Sequence, residues 1–112
     1  MVLLSIKNQV LSIEIVSIGS LDASIVHPRE ILEPAILASA ASIILVHNHP
    51  TGDPSPSKED VEFTGRFAKC GELRGIQLLD HVIIGDGTYH SLKENGAFRR
   101  PNRSHTWAVF LP

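Results

Sequence analysis

The stretch His47-Asn48-His49-Pro50-Thr51-Gly52-Asp53-Pro54-Ser55-Pro56-Ser57-Lys58-Glu59-Asp60 constrains this chain more than any other. It follows the apolar, β-branched run Ala41-Ser42-Ile43-Ile44-Leu45-Val46, which reads as a buried strand. Residues two apart on a strand point the same way, so His47 and His49 leave the strand end on one face and Asn48 turns away. Pro50, Pro54 and Pro56 hold the next loop stiff, and Gly52 accepts a backbone angle that other residues resist. Helix signals follow at Ser57-Lys58-Glu59-Asp60-Val61-Glu62-Phe63. A stiff loop can bring the first turn of that helix back over the strand end, where Asp60 adds a carboxylate to the two imidazoles.

Two His and one Asp form a zinc set. Three protein ligands leave a fourth tetrahedral position for water, the arrangement of a catalytic rather than a closed structural site. The net positive charge of such a site lowers the pKa of bound water and polarises a nearby carbonyl. Plainer readings stand beside this one. Ser57-x-x-Asp60 is also a capping box, with Ser57 as N-cap and Asp60 at N3. A His-x-His pair at a strand end is often only surface polarity. The whole spacing, with a strand before and a helix after, is far more specific to a metal than either part alone. Capping and chemistry are compatible, and Ser57 can serve both.

The chain length of 112 residues fits one domain. An apolar fraction of 43% and a charged fraction of 20% are those of a soluble globular protein. The net charge of -2 makes no electrostatic case for nucleic acid. The basic cluster Arg99, Arg100 and Arg103 near the C-terminus reads as a solvated tail. A single cysteine, Cys70, excludes an internal disulfide and fits a reducing cytosol, so a cytoplasmic location is expected. Cys70 itself reads as a small packing residue near a helix end. Met1 to Ile6 is apolar but lacks the basic flank of a signal peptide, and no run reaches membrane-spanning length.

The elements follow in order. Val2 to Ile6 and Val10 to Ile18 read as strands of an antiparallel hairpin turning at Lys7-Asn8-Gln9. Gly19 to Asp22 is a loop and Ser24 to Val26 a short extended piece. His27 to Ala40 is helical, with Pro28 at the first position and Ile31, Leu32, Ala35 and Ala38 on one apolar stripe. Pro34 should kink this helix or make Glu33 a second start. Arg29 and Glu30 beside His27 form a polar knot, and Glu30 suits a helix N-terminus. The second helix runs from Lys58 to Cys70 with Val61, Phe63, Thr64, Phe67 and Ala68 for a core face and Gly71 as its stop. Gln77 to Ile84 is a strand. His81 within it reads as a satisfied core residue, with a supporting role behind the metal ligands as the other reading. Gly85-Asp86-Gly87 is a tight turn, and Thr88 to Ser91 a final short strand. Trp107 to Leu111 either pack back or hang free.

The spacing His47-x-His49-x7-Ser57-x2-Asp60 resembles the JAMM motif of MPN-type metalloproteases. Val26-His27-Pro28-Arg29-Glu30, His47-Asn48-His49-Pro50, Pro56-Ser57-x-x-Asp60 and Leu79-Asp80-His81-Val82-Ile83-Ile84-Gly85-Asp86-Gly87 resemble RadC proteins in the same order. The resemblance runs from about Leu3 to Gly96, so residues 1–96 are expected to form a JAMM/MPN domain and 97–112 a divergent tail. It implies an α/β fold of the α+β kind, a cytidine-deaminase-like three-layer arrangement in which helices pack on a mixed sheet. It further implies Zn2+ on His47, His49 and Asp60, Ser57 as a catalytic oxyanion or water-orienting group, and hydrolysis of a peptide or isopeptide bond in a protein substrate. The family's general-base glutamate falls a few residues before the block that here reads Val2-Leu3-Leu4-Ser5. It is absent from this chain, as is the helical N-terminal region common in RadC proteins, so a truncated, weakly active domain is expected. Neither Glu14 nor Glu30 has a spacing that demands the role of base. The competing expectation is a non-catalytic zinc-binding or interaction domain, associated with the DNA-repair label that RadC proteins carry. An exposed sheet margin would admit a homo-oligomer.

Overall fold

A computed structural model describes residues 1–15, 27–49 and 52–96. The elements are β1 (Val2–Leu4), β2 (Val10–Ile13), α1 (Pro28–Leu37), β3 (Ser42–Asn48), α2 (Lys58–Leu73), β4 (Gln77–Ile84) and β5 (Tyr89–Ser91). The strands form one sheet in the order β2-β1-β3-β4-β5. β3 and β4 run parallel and every other pair is antiparallel, so the sheet is mixed and the fold is α+β. The end of the expected second strand beyond Ile15, the pieces at 19–22 and 24–26, Pro50 and Thr51, and the tail from Ala97 lie outside the described residues.

The parallel pair explains the architecture. A chain leaving the end of β3 must return along the sheet before β4 can start in the same direction, and α2 makes that return. One face of the sheet meets both helices. Leu3, Ile43, Leu45 and Leu78 from the strands share one apolar cluster with Ile31, Leu32 and Ala35 of α1 and Phe63 and Phe67 of α2. On the opposite face the apolar side chains Val10, Ile13, Val46 and Ile84 are exposed. Both irregularities of register are bulges. Leu4 pairs with Val10 while Leu3 pairs with Ser12, which leaves Leu11 extra on β2. Ile43 pairs with Leu78 and Ile44 with Asp80, which leaves Leu79 extra on β4.

The hairpin pairing, the start of each helix and the bounds of β4 match the expectations from sequence, but β1 stops at Leu4 rather than Ile6, and β2 stops at Ile13 rather than running on through Glu14 and Ile15. Asn8 takes the positive φ of 60° that the tight β1–β2 turn demands. Pro28 occupies the first turn of α1, where a missing N–H costs nothing. α1 passes through Pro34 as one helix and ends at Leu37, short of the expected Ala40, because Ser39 adopts a left-handed φ of 55°.

α2 corrects a second expectation, since it does not stop at Gly71. It continues to Leu73, and Gly75, with φ 73°, supplies the left-handed residue beyond the cap at Arg74. Gly71 is needed for another reason. A Cβ there would lie 2.5 Å from the carbonyl oxygen of Ile76, whose N–H bonds the Gly71 carbonyl at 2.8 Å. The chain thus doubles back on the helix to enter β4. Gly71→Ala is expected to lose about 1–3 kcal/mol through this backbone collision. Gly65→Ala, on the same helix with nothing within 4 Å of the new methyl, is expected to gain up to about 1 kcal/mol from helix propensity. Urea unfolding of the two variants should move the midpoint in opposite directions.

Candidate metal centre

The three predicted ligands meet at the carboxyl end of β3. His47 is on the strand, His49 is one residue past its end, and Asp60 is in the first turn of α2. One ligand atom from each can be chosen so that all lie within 4.8 Å of one another. His49 Nε2 is 3.1 Å from Asp60 Oδ2, and His47 Nδ1 is 3.6 Å from Asp60 Oδ1. The two imidazoles stand edge to face, with ring centroids 4.9 Å apart. The Asp60 side chain is only 3% exposed.

Local structure explains each position. His49 extends the ladder past the end of β3, its N–H donating to the carbonyl of Ile84 at 3.0 Å. Asp53 Oδ1 accepts from the Ser55 N–H at 2.9 Å, a turn that braces the loop. The hairpin turn after β4 then holds that loop. The Asp86 N–H donates to the Gly52 carbonyl at 2.8 Å, and a Cβ on Gly85 would lie 2.3 Å from that same oxygen. Only glycine lets the two turns approach so closely.

At the start of α2 the capping box is complete. Asp60 N–H donates to Ser57 Oγ at 3.0 Å, and Ser57 N–H donates to Asp60 Oδ2 at 2.8 Å. The capping reading of Ser57-x-x-Asp60 therefore holds, and the carboxylate that closes the box also faces the imidazoles. Burial alone would raise the Asp60 carboxyl pKa. The hydrogen bonds from the Ser57 backbone and side chain, and the charges of His47 and His49, outweigh it and hold the pKa below the ordinary 3.8.

His49 tests whether this set fits a cation. Its Nδ1 lies 3.0 Å from the Asp53 carbonyl oxygen, which can only accept, so Nδ1 carries the proton. In neutral His49, Nε2 is then a bare lone pair aimed at a carboxylate oxygen 3.1 Å away. Two acceptors at that distance repel unless positive charge lies between them, either a proton on Nε2 or a metal ion. An imidazole that donates its remote N–H to a backbone carbonyl is the usual posture of a metal-ligating histidine. The donor set fits a divalent ion of the zinc type.

Three features of the site were wholly or partly beyond the sequence reading, which named His81 and Thr64 but not the contact between them. The Asp53 carbonyl is one, and a backbone atom leaves no composition signal. Gly85 is another, visible from sequence only as a turn residue. The third is the pair His81 and Thr64. His81 is fully buried, with Nδ1 2.6 Å from Thr64 Oγ1, whose hydroxyl also lies 2.7 Å from the Asp60 carbonyl. Cys70 is half-buried against the core cluster, as expected of a packing residue. Glu30 is exposed on the first turn of α1, and Glu14 accepts from the Ser12 hydroxyl at 3.2 Å. Among the described residues, no helix is long and apolar enough to cross a membrane.

Residues 1–97 match the family model described as the RadC-like JAB domain. The chain is 61% identical over 97 residues to a UPF0758 protein of Caldanaerobacter subterraneus, covering 87% of this chain and 42% of that protein. It is 60% identical over 96 residues to a UPF0758 protein of Methanosarcina acetivorans, covering 86% of this chain and 42% of that one. It is 63% identical over 93 residues to a UPF0758 protein of Halalkalibacterium halodurans, covering 83% of this chain and 40% of the relative. The chain thus spans about two fifths of the length of these curated relatives.

Burial pushes the His81 pKa from 6.5 down to about 4; Asp60 and Asp80 pull it up, and His47 and His49 push it further down. The unfolded chain therefore takes up a proton near pH 6.5 that the folded chain refuses. In the metal-free protein this group's contribution should be level above pH 6.5 and unfavourable on the order of 3 kcal/mol by pH 4. Asp60, with its lowered pKa, adds its own loss only as the pH falls below about 3.8. Urea unfolding in a chelator across pH 4 to 8 checks this, and a flat profile between pH 6.5 and 4 contradicts it.

Proposed function

This chain belongs to the RadC-like JAB domain family, and we propose on that footing that it is a zinc-dependent hydrolase domain acting on a peptide or isopeptide bond. The observation that carries the reading is the His49 Nε2 lone pair facing the Asp60 carboxylate at 3.1 Å, with Nδ1 already committed to the Asp53 carbonyl. His47, His49 and Asp60 hold the ion. Zinc so held supplies a Lewis acid that activates water near neutral pH and polarises a carbonyl.

The chain's own residues do the rest. The Asp53 carbonyl fixes the tautomer and ring orientation of His49. Ser57 Oγ spends a lone pair on the Asp60 N–H. Its hydroxyl proton stays available to donate to an oxygen that gains charge during attack on a carbonyl. The substrate class, a peptide or protein, and a cytoplasmic setting come from the family resemblance and the single cysteine. In its relatives this stretch is about two fifths of a longer protein.

A second reading, zinc binding without efficient turnover, is favoured by the carboxylates. Glu30 is exposed on the first turn of α1, and Glu14 is engaged by the Ser12 hydroxyl at 3.2 Å. In this reading the chain is a zinc-bearing interaction domain linked to DNA repair or recombination. Its net charge of -2 argues against direct contact with nucleic acid.

Metal analysis of the purified chain should find zinc, lost in both His47→Ala and Asp60→Ala; zinc content unchanged by both substitutions ends the metal assignment. If the chain cleaves peptide or isopeptide substrates, Ser57→Ala should lower kcat by about 10²-fold while zinc stays bound. Zinc bound with no cleavage selects the second reading.

A further inference from the structure

The bulge at Leu79 decides where His81 points. Strict alternation from Leu78, which packs in the core, would turn His81 to the opposite face of the sheet. The extra residue restores it to the helix side, and Leu78, His81 and Ile83 are the buried residues of β4. There His81 meets α2 one turn beyond the carboxylate ligand.

The protons of this contact can be placed. The Asp60 carbonyl oxygen has no proton to give, so at 2.7 Å the Thr64 hydroxyl donates to it. Thr64 Oγ1 must then accept, and His81 Nδ1, 2.6 Å away, donates to it. The imidazole is left with a bare Nε2, fully buried and without a protein partner among the described residues. Burying such a nitrogen costs about 1–3 kcal/mol, which a leucine at that place would avoid. A role in stability alone does not account for the imidazole.

Its position suggests another role. β4 pairs with β3 through His81 and Leu45, so His81 is anchored beside the strand that carries His47. The His47 and His81 ring centroids are 6.4 Å apart. Through Thr64, His81 grips the backbone of Asp60 itself. The spacing of helix and sheet, on which the carboxylate-to-imidazole distances depend, passes through this link.

We infer that His81 and Thr64 are positioning residues that hold the Asp60 backbone at the height where its carboxylate meets His47 and His49. This inference rests on the metal reading of that triad. It predicts that the Thr64 hydroxyl governs affinity for zinc, which a residue serving the fold alone would not do.

The test measures zinc affinity by competition with a chromophoric chelator at pH 7, with unfolding of each metal-free form measured in parallel. Thr64→Val, which keeps the shape and removes the hydroxyl, should weaken zinc binding by about tenfold or more, and Thr64→Ser should restore it. Thr64→Val that binds zinc like wild type, whatever its stability, overturns the inference and leaves the metal reading intact. Wild type that takes no zinc overturns both. Should Thr64→Val fail to fold, nitrogen NMR of the wild-type imidazoles decides instead. His81 protonated at Nδ1 with and without zinc supports the link, and His81 protonated at Nε2 breaks it.

Discussion

The structure depends on one buried anion, the Asp60 carboxylate. Stripped of water, a carboxylate destabilises a fold by several kcal/mol unless positive charge and hydrogen bonds replace what it lost. Here Oδ2 accepts from the Ser57 N–H at 2.8 Å, and the carboxylate sits in the first turn of a helix, where the peptide dipoles favour negative charge. The remaining requirement falls on the two imidazoles. One of them presents a lone pair rather than a proton when neutral, so the carboxylate is matched only when positive charge, a proton on His49 Nε2 or a metal ion, lies among the three side chains.

Topology brings these groups together more than the loop does. In a strand-helix-strand crossover the helix must begin near the end of the strand it follows. Ligands placed at the end of β3 and in the first turn of α2 therefore converge by construction. The loop only sets the final distances, and it borrows its firmness from the β4–β5 turn through Gly85 and the Asp86 N–H. The candidate metal centre is thus supported from both parallel strands, with β3 and the residue just past its end supplying the imidazoles and β4 supplying the ledge beneath the loop and the link to α2.

This explains which parts were legible in the sequence. Hydrophobic period, proline, and the spacing from His47 to Asp60 are local signals, and they identified the hairpin, β4, the start of α2 and the triad. What they could not show was set by contacts distant along the chain. Gly71 and Gly75 look alike as helix stops, and the choice between them is made by the Ile76 carbonyl, which occupies the space a Cβ at Gly71 would need. A period of two places Leu78 and His81 on opposite faces, and a single unpaired residue reverses that. A bulge leaves no mark in composition, so the burial of His81 could be guessed but its aim toward Thr64 could not.

Ser57-x-x-Asp60 can be read for stability, as a capping box, or for chemistry, as part of a metal set. The atoms do not divide that way. An ionised carboxylate has about four lone-pair sites, and the cap uses one of them on Oδ2 while Oδ1 faces His47. Closing the box fixes the Asp60 rotamer, and a fixed rotamer is what a ligand to a metal requires. The cap therefore removes in advance the side-chain entropy that binding an ion would otherwise cost. In the same way the Asp53 carbonyl orients His49 before any ion arrives. Helix initiation and ligand geometry are one set of hydrogen bonds, so this turn of α2 could not be redesigned for one purpose without altering the other.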